Sequence, residues 1–383
     1  MKIKQVPEDF QVKEISAVPK LVKGGQYTYF ILRKKNYTTT RALTTIAKAA
    51  RVSRKRFNFA GTKDKRAVTE QLICAWKVPP AQLKKVKLKD LSIKVIGQGE
   101  EKVNLGYLLG NEFKIKVKDL SKKDVEKVKA NLDLIKRIGF PNYFGEQRFS
   151  GGRTSAIGLE ILKGYIKGAV LYFLTYPGAD ESEEVKKARN FAKKNIGDWS
   201  EILAQMPRSL SLEKSVLNHL VQYQNDFAGA LRALHKKIRM LFVHAIQSFI
   251  FNLALSALIK KRCKKYKEFK FLDKKLAIPL EKIKLPRELP IVGFNSKLGK
   301  DVFSIEIKKL LAKDNLTLAN FHCTRMPELA SAGTTRKTFV KPAQIKISKP
   351  AKDELNKGKL KVTLSFGLEK SAYATVLLKA LIV

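Results

Sequence analysis

The sequence has few of the residues that build metal sites and disulfides. Its three cysteines, Cys74, Cys263 and Cys323, and its four histidines lie far apart among 383 residues. Such spacing forms neither a disulfide framework nor a paired-cysteine zinc motif, and it argues against a histidine-based metal centre or catalytic triad. We therefore expect no metal site in this protein.

Long apolar runs are also missing. No window holds the roughly 18 uninterrupted apolar residues of a membrane-spanning helix, and the start of the chain lacks the apolar core of a signal peptide. Hydrophobic residues still make up 44% of the sequence, which is enough for folded cores. The length predicts two or three domains at about 150 residues each. We expect a cytoplasmic protein that does not bind membranes.

Acidic residues are scarce, because 34 Asp and Glu stand against 77 Lys and Arg, giving a formal charge of +43. The basic residues run along the whole chain, so the positive field belongs to the folded body and attracts polyanions, with nucleic acid as the first candidate. A lysine-rich surface can also reflect thermophily or genome composition, but thermophilic enrichment usually raises glutamate as well. We favour nucleic-acid binding.

The two ends of the chain have sheet patterns and the middle has a helical one. Alternation, or a high content of aromatic and β-branched residues, predicts strands at 9–15, 26–34, 111–119 and 360–366. Helical spacing begins after Thr38, which offers an N-cap, and after Ser121, which with Asp124 resembles a capping box. From residue 211 to about 261 the pattern is nearly all helical. This order indicates a domain inserted within another. We predict one domain at 1–150 and 339–383 around an insert at 151–338, although the helix at 233–260 could pack on the first domain.

The segment NFAGTKDKRAVTEQ, residues 58–71, is the first candidate site. It places one carboxylate, Asp64, between Lys63, Lys65 and Arg66 in a glycine-containing turn. Neighbouring cations keep a carboxylate ionised, as a nucleophile or a base requires, and they can also hold a phosphate. On spacing alone, a solvated turn with weak ion pairs is the simpler explanation.

Three other segments combine polar groups with aromatic or small residues. GFPNYFGEQRFS at 139–150 offers stacking faces beside hydrogen-bonding groups, which suits a flipped base, although a buried strand is the commoner explanation. HAIQSFIFN at 244–252 carries polar residues that usually tie a core helix to nearby loops. PELASAGTTRK at 327–337, with Arg336 and Lys337, could line a phosphate path or form a plain connector.

Taken together, these segments resemble the TruD family of tRNA pseudouridine synthases. The matching pieces follow the family's order over essentially the whole chain: DFQVKEI, QYTYFILRKKNYTTTRAL, FAGTKDKRAVTEQ, LGNEFKI, PNYFGEQRF, AIQSFIFN, PELASAGTTRK and SFGLEKSAYATVLL. The combination of AGTKDKRAVTEQ with PNYFGEQRF is the most specific.

The resemblance implies an α/β (α+β) fold, with a pseudouridine synthase catalytic domain built on a central antiparallel sheet. It also implies a family-specific inserted TRUD domain and an RNA-binding cleft between the two. It makes Asp64 the catalytic aspartate, and Phe144 is expected to stack on the target base. The candidate pocket residues are Glu14, Lys63, Asn142, Phe144 and Arg148. The RNA-binding candidates are Lys65, Arg66, Arg336 and Lys337.

The activity that the resemblance implies is isomerisation of uridine to pseudouridine in tRNA, at position 13. No redox step or energy input occurs, so no cofactor is expected. Asp64 could attack C1′ or remove the C2′ proton, and the sequence does not separate these routes. We expect tRNA as the partner of a monomeric chain without an obligate protein partner. The alternative is a non-catalytic RNA-binding protein or tRNA chaperone that uses the same basic cleft.

Overall fold

The computed structural model of the protein describes residues 1–178 and 181–383. In chain order its strands are β1 (Phe10–Ser16), β2 (Tyr27–Lys35), β3 (Phe57–Phe59), β4 (Val68–Trp76), β5 (Leu91–Gly99), β6 (Leu108–Leu120), β7 (Phe140–Pro141), β8 (Tyr266–Phe271), β9 (Lys274–Pro279), β10 (Glu288–Ile291), β11 (Thr334–Lys337), β12 (Phe339–Val340), β13 (Ala343–Ile347), β14 (Ala351–Lys352) and β15 (Leu360–Glu369). Its α-helices are α1 (Thr39–Ala49), α2 (Pro80–Lys84), α3 (Lys122–Ile138), α4 (Arg153–Leu162), α5 (Ile166–Thr175), α6 (Glu183–Lys194), α7 (Trp199–Gln205), α8 (Ser211–Gln222), α9 (Phe227–Arg232), α10 (Lys236–Arg262), α11 (Val302–Lys313) and α12 (Ala374–Ile382).

The chain divides into two compact units. The first comprises Met1–Gly139 and Val340–Ile382, and the second comprises Phe140–Phe339 together with Val383. The sequence predicted an insert at 151–338, so the second unit begins eleven residues earlier and ends one residue later than that insert. Helix α10, whose assignment the sequence left open, belongs to the second unit.

The first unit is built on one nine-stranded sheet in the order β13-β15-β6-β1-β4-β2-β5, with β14 beside β15 and β3 beside β4. Strands β1 and β4 run parallel, and the other neighbouring pairs are antiparallel. The mixed fold with a mainly antiparallel central sheet, predicted from the resemblance, is confirmed. Strand β4 directly follows the loop that carries Asp64, and β1 carries Glu14.

Helix α1 covers one face of this sheet, as its spacing predicts. The Thr38 hydroxyl accepts a hydrogen bond from the Arg41 amide at 3.2 Å and caps the helix. Buried Leu43 and Ile46 pack against Phe30 and Leu32 of β2. Because side chains alternate along a strand, Lys34 points to the same covered face as these two strand residues. The predicted capping box of α3, formed by Ser121 and Asp124, is also confirmed.

The second unit is mainly helical and is organised around α10. Helices α4 and α11 and strand β9 pack against it. This 27-residue helix is long and apolar enough to cross a membrane, but most of its apolar stretch is buried inside the unit, as in the core helix of a soluble protein. The predicted continuous helical stretch at 211–261 is three helices, because Asp226 and His235 cap new helix starts.

Candidate active site

Asp64 lies on the loop between β3 and β4, and polar contacts fix this loop to the sheet. The Gln71 side chain donates to the Gly61 carbonyl at 2.9 Å. The Thr39 hydroxyl donates to the Gln71 side-chain oxygen at 2.8 Å and accepts from the Lys63 amide at 3.0 Å. The glycine-containing turn predicted from sequence is therefore an anchored loop and not a freely solvated one.

The Asp64 carboxylate pairs with a cation that is distant in sequence. Its Oδ2 atom lies 2.5 Å from Nζ of Lys4, which stands just before β1. The Lys4 ammonium also lies 4.0 Å from the centroid of the Phe10 ring, which screens it on that side. Because 33% of the Asp64 side chain is exposed, a substrate can reach this paired carboxylate.

Lys63, the sequence neighbour of Asp64, makes a different ion pair. Its Nζ atom lies 2.6 Å from Oε2 of Glu14 and donates to Oδ1 of Asn111 at 2.8 Å. The Glu14 side chain is fully buried, and its other oxygen accepts from Ser16 and from the Leu72 amide. Glu14 and Lys63, both predicted pocket residues, thus form one buried pair beneath the loop that carries Asp64.

Lys34 approaches the same loop from β2. Its side chain is 0% exposed, and Nζ donates to the carbonyl oxygens of Tyr37 at 2.6 Å, Asp64 at 2.7 Å and Lys63 at 3.4 Å. Burial lowers the pKa of Lys34 to about 8, although the Asp64 charge opposes this shift. The two other cations of the segment, Lys65 and Arg66, are exposed, and Arg66 donates to the Gln5 carbonyl at 2.9 Å.

In the second unit, Asn142 is held by Arg336. The guanidinium donates from Nε to the Asn142 carbonyl at 2.7 Å and from Nη2 to its side-chain oxygen at 2.8 Å. The Asn142 amide group in turn donates to the Lys337 carbonyl at 3.1 Å. Arg336 is only 7% exposed, so the structure places this RNA-binding candidate in the interior of the unit.

Phe144 belongs to the same buried group. Its backbone N–H donates to the Asn252 side chain at 2.8 Å, and its carbonyl accepts from the same side chain at 2.9 Å. The Arg336 guanidinium lies 3.9 Å from the ring centroid, and the Phe251 ring meets it edge-on at 5.8 Å. The buried strand considered for this segment is limited to two residues, because β7 ends at Pro141. Beyond Pro141, the two hydrogen bonds to Asn252 of α10 hold the backbone in place of strand pairing.

Arg148, the last predicted pocket residue, lies near Phe144, with its guanidinium carbon 5.7 Å from the ring centroid. Burial and the charge of Arg148 lower the pKa of His244 on α10. Cys74, Cys263 and Cys323 are buried free thiols. Within residues 1–178 and 181–383, no group of three or more His, Cys, Asp or Glu side chains is placed to hold a metal ion.

The sequence did not identify Lys4, Lys34 and Asn111 as residues of the site. It also did not predict that Asn252 hydrogen-bonds to the backbone of Phe144. Lys34 is the middle residue of the basic run Arg33-Lys34-Lys35, in which residue type alone does not mark the buried lysine. Lys4 stands sixty residues from the carboxylate that it pairs with. The expectation that Gln247 and Asn252 tie helix α10 to loops is confirmed, because Gln247 also donates to the Val292 carbonyl at 2.5 Å.

Comparison with known proteins gives one consistent result. The model of the family "tRNA pseudouridine synthase D (TruD)" matches residues 1–381. A protein of Methanosarcina acetivorans named "Probable tRNA pseudouridine synthase D" is 33% identical over 407 residues, covering 99% of this chain and 91% of the relative. The "tRNA pseudouridine synthase D" of Aquifex aeolicus is 30% identical over 392 residues, covering 100% and 98%.

A solved structure agrees with these relatives. The crystal structure of the "Putative tRNA pseudouridine synthase D (TruD)" from Methanosarcina mazei superposes with a TM-score of 0.73 at 30% identity, covering 100% of this chain and 93% of that one. The resemblance inferred from the segments is thereby confirmed over both units. The chain belongs to the TruD family of tRNA pseudouridine synthases.

Proposed function

We propose that this protein isomerises uridine to pseudouridine in tRNA and that Asp64 is its catalytic carboxylate. Family membership supports the reaction, and it does not favour a non-catalytic RNA-binding protein. The observation that carries the assignment of Asp64 is its geometry. It is a partly exposed carboxylate, paired with Lys4 at 2.5 Å, on a loop anchored by buried polar residues.

The reaction needs one group that acts at the sugar. The N1–C1′ bond breaks, the uracil turns in place, C5 bonds to C1′, the proton on C5 leaves, and N1 takes up a proton. An ionised Asp64 can attack C1′ and form a covalent intermediate, or it can take the C2′ proton and form a glycal. Both routes need an anionic oxygen at a fixed position, and the ion pair with Lys4 helps to hold the Asp64 carboxylate in place.

The test measures conversion of C5-tritiated uridine in tRNA transcripts by the tritium that is released. Asp64→Asn keeps the size of the side chain and removes its charge, so conversion should be abolished while tRNA affinity stays within about three-fold. Asp133→Asn, an exposed carboxylate change on α3, is the matched control and should retain full conversion. Retained activity in Asp64→Asn would overturn the assignment.

The same assay separates the alternative function. A non-catalytic RNA-binding protein or tRNA chaperone would shift tRNA in a gel, yet would leave no pseudouridine in it. For the target nucleotide we propose position 13 of tRNA, as the family resemblance implies. A transcript with cytidine at position 13 should release no tritium above background, and release at the wild-type rate would contradict this position.

We further propose that Asn142, Phe144 and Arg148 take part in binding the RNA, and that the exposed Lys65 and Arg66 contact its backbone together with Lys337. Phe144 supplies an aromatic ring held by α10, and Arg148 supplies a nearby cation. Arg336 supports this group by positioning Asn142. We also propose that the enzyme acts as a monomer in the cytoplasm, which analytical ultracentrifugation and cell fractionation can check.

A further inference from the structure

Lys34 is a buried lysine on the face of β2 that contributes to the apolar core. It is 0% exposed and shares its face of β2 with Phe30 and Leu32, which pack under α1. Burying an ammonium group is costly unless hydrogen bonds replace those to water. A residue such as methionine would fill the same space without that cost. The hydrogen bonds of the Lys34 ammonium group therefore indicate why a charged residue occupies this position.

Those contacts go to main-chain oxygens of two neighbouring segments. Nζ donates to the Tyr37 carbonyl at 2.6 Å, just after its own strand, and to the Asp64 carbonyl at 2.7 Å. A weaker third bond reaches the Lys63 carbonyl at 3.4 Å. The ammonium therefore joins the end of β2 to the backbone of Asp64 itself.

Another buried lysine of the first unit has a different environment. Lys118 is 1% exposed and lies 3.0 Å from Asp9 and 3.0 Å from Glu354, so carboxylates balance its charge. Burial alone would lower the pKa of Lys118, but the bonds to these carboxylates raise it. Lys118 thus forms structural ion pairs near the end of β6, a strand inside the sheet, and it offers a matched control for the loss of a buried lysine.

Lys4 pairs with the side-chain carboxylate of Asp64, and three other contacts of the loop act on Gly61 and Lys63. The Gln71 side chain holds Gly61, the Thr39 hydroxyl holds the Lys63 amide, and Glu14 with Asn111 holds the Lys63 side chain. The Lys34 bond instead reaches the residue that carries the reactive carboxylate. A displacement of about 1 Å at a reacting group costs about 100-fold in rate.

We propose that Lys34 is a positioning residue that fixes the main chain of Asp64 for the isomerisation. This inference rests on the proposed function, and within it adds a residue that makes no contact with the substrate. Its ammonium has three N–H donors for the three carbonyl oxygens, and the neutral amine has two. Loss of the proton therefore weakens the anchor.

The lowered pKa of Lys34, about 8, supports a pH-dependent anchor. Burial is the main cause, the Asp64 charge opposes it, and the Lys63 charge adds to it. The residues paired with Lys34 on the neighbouring strands, Thr69 and Leu91, are uncharged. We therefore expect turnover to decline as the pH rises through about 8, while the fold remains intact.

The experiment compares Lys34→Met, Lys34→Arg and Lys118→Met in the tritium-release assay, with tRNA affinity measured separately. Lys34→Met should lower kcat about 100-fold while KM and Kd for tRNA change less than about three-fold. It should also speed hydrogen exchange at residues 60–67, a readout that does not depend on activity. Lys34→Arg keeps its charge at pH 10, so the decline in kcat above pH 8 should disappear.

Lys118→Met should lose stability without a loss of kcat at 25 °C. Wild-type kcat in Lys34→Met would overturn the inference, as would a decline near pH 8 that Lys34→Arg retains. If Lys34→Met does not fold, the pH profile of Lys34→Arg decides alone. Failure of the proposed function looks different, because then wild-type protein converts no uridine or Asp64→Asn stays active.

Discussion

Nζ of Lys4 and Oδ2 of Asp64 lie 2.5 Å apart, although sixty residues separate them in the sequence. The basic neighbours of Asp64 were the expected source of a stabilising cation. In the structure, however, the Lys63 side chain forms an ion pair with Glu14, and the Arg66 side chain donates a hydrogen bond to the Gln5 carbonyl. The segment before β1 therefore contributes directly to the site around Asp64.

We predict that Lys4→Met lowers kcat by about 30-fold or more, because the Asp64 carboxylate loses the ammonium that lies 2.5 Å from its Oδ2 atom and helps to fix its position. Lys4→Arg should recover part of the activity, since it restores the charge but not the geometry. The free energy of unfolding should fall by no more than about 1 kcal/mol, because the pair is partly exposed.

Lys2→Met is the matched control for this prediction. Lys2 lies in the same terminal segment, but its Nζ atom bonds to Asn356 and lies 3.8 Å from Asp119. The kcat of the Lys2→Met variant should equal that of the wild type. Equal losses in the Lys2 and Lys4 variants would show that a general effect on the N-terminal segment, and not the pair with Asp64, is responsible.

Local signals in the sequence predicted the elements well. The cap at Thr38, the capping box at Ser121, the alternation of β1 and β15 and the aromatic and β-branched composition of β2 are all local signals, and the structure has each of these elements. The boundaries of α8, α9 and α10 were missed, because the helix starts at Asp226 and His235 interrupt a pattern that stays apolar and periodic across them.

The site was only partly predictable, for a physical reason. Asp64 and Phe144 stand in motifs of unusual composition, so the sequence identifies them. Lys34 hydrogen-bonds to carbonyl oxygens, which every residue has, and its partners leave no trace in side-chain types. Asn252 likewise bonds to backbone atoms of Phe144. Contacts between a side chain and the backbone of a residue that is distant in sequence can be identified only when the three-dimensional structure is known.

Arg336 should be essential to the second unit's stability. Arg336→Met removes two hydrogen bonds to Asn142, leaves its buried oxygens without donors and uncovers the Phe144 ring, so the free energy of unfolding should fall by about 3 kcal/mol. Arg336→Lys should rescue little, because an ammonium cannot make both bonds and stack on the ring.

Urea unfolding followed by Trp199 fluorescence, in a Trp76→Phe background, reports on the second unit because Trp199 lies within it. Arg208→Met, an exposed arginine change in the same unit, should alter the free energy of unfolding by less than about 0.5 kcal/mol. If Arg336→Met lowered the free energy of unfolding no more than Arg208→Met does, the hydrogen bonds from Arg336 to Asn142 would not be a major stabilising contact.

Binding of tRNA should depend steeply on salt. For a protein with a formal charge of +43, we expect Kd to rise about 1,000-fold or more between 50 and 200 mM KCl. The double change Lys65→Gln and Arg66→Gln should reduce the slope of log Kd against log salt by about 2 if each residue contacts one phosphate. Asp64→Asn should leave the slope unchanged, and a flat response in the wild type would exclude an electrostatic binding surface.

Glu328 should make the second unit sensitive to acid. Hydrogen bonds and ion pairs to Arg232 at 2.9 Å and Arg239 at 2.5 Å lower the pKa of Glu328 to about 2. The unfolded chain takes up the proton near its ordinary value of about 4.5. The stabilisation is therefore complete above pH 4.5 and is lost as the pH falls toward 2.

Glu328→Gln should accordingly be less stable than the wild type at pH 7, by about 1 to 2 kcal/mol, because Arg239 is left buried without its carboxylate. The difference in free energy of unfolding between the variant and the wild type should narrow between pH 4.5 and pH 2, where Glu328 of the wild type becomes protonated. Urea unfolding followed by Trp199 fluorescence measures this difference. Glu183→Gln, which breaks an exposed pair with Lys186 on α6, should have a far smaller effect at any pH. A Glu328→Gln deficit that keeps its full size at pH 2.5 would mean that packing, and not charge, accounts for the stabilisation.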